Sequence, residues 1–273
     1  MKNMGWFGIA AALVVACTQP RKAAEVARMP ATAQDIPHAL AQQNVDAAIY
    51  QNTSAEAHRL YQQCYELARL RLEENLRRAH ALPPAVVVDI DETVLDNSPY
   101  QMTNIREGRT YSPATWSEWT TKASAKASPG AVDFLRWANA QGCDVFYISN
   151  RSEAEKAVTI KNLRDLGFPT VDDEHVLCMI GRDSDKTIRR AVVREKRYIA
   201  LLVGDQLRDF DEAFKMRVPE HGKSIVDAWS DTLGQYFILL PNPMYGTWLD
   251  DVGGKSDSLK LERKAEHFRT NSY

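Results

Sequence analysis

Ala85-Val86-Val87-Val88-Asp89-Ile90-Asp91-Glu92-Thr93-Val94 is the stretch on which the reading of this chain turns. Its first four residues are small or apolar and predict a strand buried on both faces. The run then meets two aspartates, two positions apart, and a threonine. Crowding like charges at the end of a buried strand costs stability. In an open α/β sheet, however, ligands sit beyond the carboxyl ends of the strands. The sequence therefore puts Asp89 and Asp91 at the mouth of a sheet, where a cation or a reacting group can use them. In an extended strand this spacing points both side chains the same way.

Outward from this strand, helices and strands alternate. Helical patterns cover 130–140, 153–166 and 184–195, and strands cover 144–149, 175–180, 198–204 and 236–240. Gly142 and Gly167 punctuate the first two helices. Alternation of this kind implies right-handed βαβ units and a doubly wound, mainly parallel α/β sheet with helices on both faces. Before the first strand, 54–80 reads as a long helix with Leu60, Cys64, Leu67, Leu70 and Leu76 on its apolar face, stopped by Pro83 and Pro84. It forms an N-terminal helical extension. The segment 97–128 is too long for a plain βα loop and carries Tyr100, Tyr111, Trp116 and Trp119, which predicts a small cap over the strand ends.

The chain has 273 residues, 44% of them hydrophobic, enough for one substantial core. Its net charge of −2 excludes wholesale binding to a nucleic acid polymer. Residues 1–16 read as a signal peptide, and Leu13-Val14-Val15-Ala16-Cys17 resembles a bacterial lipobox. Lipid on Cys17 would anchor the chain to a membrane, and Thr18 is compatible with the outer membrane. Residues 17–53 then form a tether with short helices near 39–50, 54–250 the catalytic domain, and 251–273 a polar C-terminal tail. Cys64, Cys143 and Cys178 lack paired metal spacing, and Cys143 and Cys178, in or beside expected strands, read as buried small hydrophobes.

Four segments bring chemistry to one edge of the sheet. They are Asp89 and Asp91; Ser149-Asn150-Arg151; Asp183-Ser184-Asp185-Lys186; and Gly204-Asp205 with Asp209. Asp89, Asp205 and the Asp91 carbonyl make an oxygen-only shell of the kind Mg²⁺ prefers. Asp89 can attack phosphorus as a carboxylate nucleophile. Asp91 can protonate the leaving oxygen and later take a proton from water. Ser149 and Lys186 can bind phosphoryl oxygens, helped by amides of a helix after Ser149. Asp209, one turn past Asp205, can hold a metal-bound water or orient Lys186.

The ordered set resembles the haloacid dehalogenase superfamily of phosphohydrolases. A longer set of matches resembles its bacterial class C acid phosphatases, the outer-membrane lipoprotein 5′-nucleotidases. These are Asp89-Ile90-Asp91-Glu92-Thr93-Val94-Leu95-Asp96-Asn97-Ser98-Pro99-Tyr100, Thr115-Trp116-Ser117-Glu118-Trp119, Pro129-Gly130-Ala131-Val132-Asp133-Phe134-Leu135, Phe146-Tyr147-Ile148-Ser149-Asn150-Arg151 and Leu240-Pro241-Asn242-Pro243-Met244-Tyr245-Gly246. The resemblance runs from about 54 to 249. It implies a haloacid dehalogenase-like fold and a Mg²⁺-dependent acid phosphatase acting on small phosphomonoesters, often nucleoside monophosphates. It also implies Asp89 as nucleophile, Asp91 as acid/base, Asp205 as third metal ligand, Ser149, Asn150 and Lys186 as phosphate binders, and Trp116 and Tyr245 beside the nucleobase. The family's extra lysines before the phosphate-binding lysine are replaced here by Gly181-Arg182-Asp183. A phosphomonoesterase or phosphotransferase without nucleotide preference is the nearest alternative, and a non-catalytic binding lipoprotein is a further one. A Ca²⁺-binding surface module is excluded because no acid-rich loop fits one. Oligomeric state is open, a homodimer being one option.

Overall fold

The computed structural model describes residues 35–218, 220–254 and 256–273, without the side chains of 250 and 251. The expected signal peptide, the Cys17 lipidation site and the first half of the tether lie outside the described residues. Where a tether was expected, the chain forms α1 (Asp35–Gln42) and α2 (Val45–Thr53). Helix α1 packs on the later helices α4 and α11, and α2 on α3 and α4, as their ranges below define.

Helix α3 (Ala55–Leu76) starts where the Ser54 hydroxyl accepts the Ala57 amide at 2.9 Å, a standard N-cap. It ends well before the prolines, and Pro84 instead opens the first strand, the position where a missing N–H matters least. The expected apolar face is met in part, since Cys64, Leu67 and Leu76 pack half-buried against the core. Ala57, Tyr61, Tyr65, Ala68, Leu72 and Asn75 face the core, while Leu60 is 40% and Leu70 59% exposed. Both stripes have helical period. The tyrosines win because their hydroxyls find backbone carbonyls inside, which a leucine stripe could not satisfy.

The remaining elements follow in order. They are β1 (Pro84–Val88), β2 (Leu95–Asp96), α4 (Ser98–Glu107), α5 (Pro113–Thr120), β3 (Lys126–Ala127), α6 (Ala131–Ala140), β4 (Asp144–Ser152), α7 (Lys156–Asp165), β5 (Val176–Met179), α8 (Thr187–Lys196), β6 (Tyr198–Gly204), α9 (Lys223–Ala228), β7 (Phe237–Leu239), α10 (Thr247–Gly253) and α11 (Asp257–Asn271). The five-stranded sheet has the order β5-β4-β1-β6-β7 and is parallel throughout. Val86 and Val88 enter the core under α3 and α6, while Ala85 and Val87 face a second core with Val193, Phe210 and Phe214. That two-sided burial is why β1 reads as an unbroken apolar run.

The chain leaves β1 for β4 and β5 on one side, then crosses to β6 and β7 on the other. The carboxyl end of β1 is therefore the switch point where a crevice opens. The expected cap is a two-stranded antiparallel ribbon, β2 with β3, carrying α4 and α5. Helix α11 packs on α10 and α1. Among the described residues no helix is long and apolar enough to cross a membrane.

Candidate active site

Strand β1 stops at Val88, so neither aspartate lies in the ladder. The Asp89 amide still donates to the Val203 carbonyl at 2.9 Å, which fixes Asp89 beside the end of β6. A turn follows, with Glu92 in the left-handed region (φ 55°). A bulky residue there is strained by roughly 1–3 kcal/mol. The turn is held from both sides: the Glu92 amide donates to the Leu95 carbonyl at 2.8 Å, and Glu92 Oε1 accepts the Asn97 amide at 2.9 Å. The turn gives the two aspartates different partners, where an extended strand was expected to align them.

Asp89 meets the Lys186 ammonium, which also donates to Asp209 Oδ1 at 2.7 Å. Asp91 instead receives Arg151: Nη2 donates to Oδ1 at 2.7 Å and Nε to the same oxygen at 3.0 Å. Asn97 Nδ2 donates to Asp91 Oδ1 at 2.9 Å, and the cap's Trp119 Nε1 donates to Asn97 Oδ1 at 2.8 Å. The cap is thereby tied to the orientation of Asp91. Ser149 is fully buried, accepts the Arg151 amide at 3.0 Å and donates to Asp91 Oδ2 at 3.4 Å. Asn150 is exposed and accepts Arg189 Nη2 at 2.7 Å. The helix expected over 153–166 begins as one 3₁₀ turn, Glu153–Glu155, where β4 ends at Ser152, and continues as α7.

Across the switch point, Asp205 follows β6. Its Oδ2 accepts Gln206 Nε2 at 2.7 Å and Asn242 Nδ2 at 2.8 Å. Thr93 Oγ1 approaches its Oδ1 at 3.5 Å. Gly204 is required by close approach, since a Cβ there would lie 2.6 Å from the Asp209 Cβ. The carboxylates of Asp89, Asp205 and Asp209 come within 4.8 Å of one another and all three are buried. Asp91's carboxylate is outside this cluster, and Asp209, expected to act from behind, is inside it.

The electrostatics follow from crowding and burial. Burial pushes the Asp89 pKa well up; Lys186 opposes this, and Asp209, Asp205 and Asp91 add to it. Burial, with Asp209, pushes Asp205 up to about 7 against the hydrogen bonds from Asn242 and Gln206. Burial works against the charge on Lys186, but Asp209 and Asp89 outweigh it and the pKa rises. Burial likewise works against Arg151, and Asp91 outweighs it. An oxygen-only cluster this reluctant to ionise fits a hard divalent cation, which would offset the repulsion.

The site opens into a cavity of about 560 Å³. Asp89, Asp91, Arg151, Lys186 and Asp205 line it on the sheet side, and Trp116 and Tyr245 both reach its wall. Trp116 meets Tyr100 edge-on at 5.1 Å, and the Arg151 guanidinium lies over its ring at 5.7 Å. Tyr245 sits in the loop after β7, whose Asn242 holds Asp205. Reading the sequence motif by motif gave no role to Arg151, Asn97, Gln206 or Asn242. Arg151, Asn97 and Asn242 lay inside quoted motifs, and their polarity beside apolar strand ends was the available signal. Gln206, next to Asp205 in the chain, lay outside the quoted motifs.

The family model for the HAD superfamily, subfamily IIIB (acid phosphatase), matches residues 5–248. This chain belongs to that family. The class C acid phosphatase from Bacillus anthracis superposes on this subfamily IIIB chain with a TM-score of 0.75 at 36% identity, covering 83% of this chain and 97% of that one. The same figures hold for that protein with tungstate bound. Acid phosphatase 1 of Solanum lycopersicum is 28% identical over 163 residues, 58% of this chain and 57% of that protein. A stem 31 kDa glycoprotein of Glycine max is 26% identical over 169 residues, 58% of each. The chain spans little more than half the length of these curated relatives.

Proposed function

We propose that this chain is a Mg²⁺-dependent acid phosphatase that hydrolyses small phosphomonoesters, nucleoside monophosphates among them, through an aspartyl-phosphate. The observation that carries the reading is the convergence of Asp89, Lys186, Asp205 and Asp209 at the cavity mouth, with Asp91 held beside them by Arg151. Asp89, Asp205 and the Asp91 carbonyl would hold the cation. When bound, the cation neutralises phosphoryl charge and lets both buried carboxylates ionise.

Asp89 attacks phosphorus, and the bond from phosphorus to the ester oxygen breaks. Asp91 gives that oxygen its proton, releasing the alcohol. Water then attacks the aspartyl-phosphate, Asp91 takes its proton, and phosphate leaves. Lys186 stays with the phosphoryl oxygens as negative charge gathers. Arg151 and Asn97 fix Asp91 where the leaving oxygen must be. Trp116 and Tyr245 lie where a nucleobase could stack, which supports nucleotide preference because every base offers a π-face.

A substrate panel tests this. Nucleoside monophosphates should be turned over faster than an aryl phosphate at acidic pH, and EDTA should abolish both until Mg²⁺ is restored. Turnover that ignores the chelator would overturn the metal assignment. Equal rates on nucleotides and aryl phosphate would leave a general phosphomonoesterase.

Anchoring through lipid on Cys17, and placement in a bacterial outer membrane, belong to the same reading and rest on Leu13-Val14-Val15-Ala16-Cys17. Cys17→Ser should move the protein from the membrane fraction to the soluble fraction. Unchanged fractionation sinks the anchor.

A further inference from the structure

The cavity is larger than a phosphate and one ring require, and its far wall is cationic. Besides the catalytic side chains it is lined by Leu40, Ala47, Ile105, Trp248 and Leu249, and then by Lys260 and Lys264 of α11. Helix α11 packs on α1 and α10, which bring Leu40, Trp248 and Leu249 to the lining, so the sheet ends and α11 face one space from different elements, with apolar side chains beside the lysines. The lysines lie one helical turn apart on the half-buried side of α11, while Glu262, Arg263 and Glu266 between and beyond them are exposed.

Lysine stems often cover apolar surface while the ammonium stays in water. Two facts set this pair apart. Lys264 has no acidic partner among the described residues, and burial followed by the neighbouring Lys260 lowers its pKa. Lys260 shares Asp257 at 3.3 Å, but the other oxygen of Asp257 is engaged by the Thr110 hydroxyl at 2.8 Å. The wall thus holds more positive charge than its own acids offset. An anion between the two ammonium groups would relieve both their desolvation and their mutual repulsion.

We propose that α11 supplies a second anion site in the active cavity, so that a phosphomonoester with a second anionic group, phosphate or carboxylate, beyond an apolar middle binds more tightly than its counterpart without that group. This rests on the phosphatase reading and deepens it. The Asp89 end takes the scissile phosphate, the apolar walls take the middle, and Lys260 and Lys264 take the distal anion. Discrimination then comes from the far end of the cavity and appears in KM.

The test compares α,ω-alkanediol bisphosphates and ω-carboxyalkyl phosphates of graded length with plain alkyl phosphates of the same length, using the full chain with Mg²⁺. At one length the dianionic-ended substrate should show a KM about tenfold below its plain partner, the size of one charge-assisted contact. Lys264→Met should shrink that ratio about tenfold, and Lys264→Arg should restore it. No preference at any length in the unaltered protein overturns the proposal, and that arm does not depend on how the variants fold. An equal loss on both substrates in Lys264→Met also overturns it, while leaving the phosphatase reading intact. Failure to hydrolyse even the plain phosphates overturns both.

Discussion

The mouth of the sheet and the helix α3 behind it bury polar groups in opposite ways. At the mouth, Asp89, Asp205 and Asp209 are crowded into mutual repulsion, and burial raises the pKa of the first two. On α3, Tyr61 and Tyr65 are as deeply buried, and burial keeps both hydroxyls neutral. The Tyr61 hydroxyl reaches the Glu92 carbonyl at 2.7 Å and the Pro241 carbonyl at 3.0 Å, and accepts Gln51 Nε2 at 2.9 Å. The Tyr65 hydroxyl donates to the Thr93 carbonyl at 2.8 Å. One region carries a mutual repulsion that a bound cation would offset. The other is satisfied, and its hydrogen bonds hold the two loops that aim the first.

The largest effect expected from this contrast is on turnover. Asp89→Asn should lower kcat by about 10⁴-fold or more while the melting temperature stays within a few degrees. Lys186 keeps Asp209 as a partner, so the fold loses little. Phosphate release at the normal rate would exclude Asp89 as nucleophile, and a collapse of stability would show that the mouth also holds the fold together.

A smaller effect is expected from pH in the metal-free protein. Asp205 titrates at about 7 when folded against 3.8 ordinarily. The folded state therefore keeps a proton that the unfolded state has already lost. Its contribution to stability is full below about 3.8 and disappears as pH rises through about 7. Asp89 shifts in the same direction. With EDTA the melting temperature should fall by several degrees across that window, and Mg²⁺ should restore it. A flat profile would mean that the carboxylates are not mutually strained.

The smallest expected change is Tyr61→Phe, which should cost about 1–3 kcal/mol by leaving buried carbonyls unpaired. It should also raise the Mg²⁺ concentration needed for half-maximal activity, because Pro241 precedes the Asn242 that holds Asp205. A stability loss with an unmoved Mg²⁺ titration would reduce α3 to scaffold.

Much of the sheet could be read from local signals. Val86 to Val88 and Leu201 to Val203 are apolar runs with polar residues at their ends, and that pattern needs no knowledge of the partner strand. The cap was visible from a βα connection too long to be a loop. The misread parts are those with two periodic solutions or none. On α3 the core-facing stripe is centred on Tyr61 and Tyr65, with Cys64, Leu67 and Leu76 at its margin, and that centring depends on carbonyls contributed by residues far along the chain. Asp91's guanidinium partner and Asp205's amide partner come from β4 and from the loop after β7. Asp205's other amide partner, Gln206, adjoins it in the chain, but nothing beside either aspartate announces Arg151 or Asn242.

By itself, then, the sequence determined the order of strands and helices, the strand ends that carry Asp89 and Asp205, and the residue types available for phosphoryl chemistry. These are set by short-range periodicity and by side-chain chemistry. Only the tertiary structure decided that Asp209 joins the carboxylate cluster while Asp91 turns to Arg151, and that α1, α2 and α11 close the cavity. Those outcomes depend on a left-handed turn at Glu92, on the room left by Gly204, and on packing between segments far apart in the chain. Such contacts are chosen by the free energy of the whole fold, which no local stretch encodes.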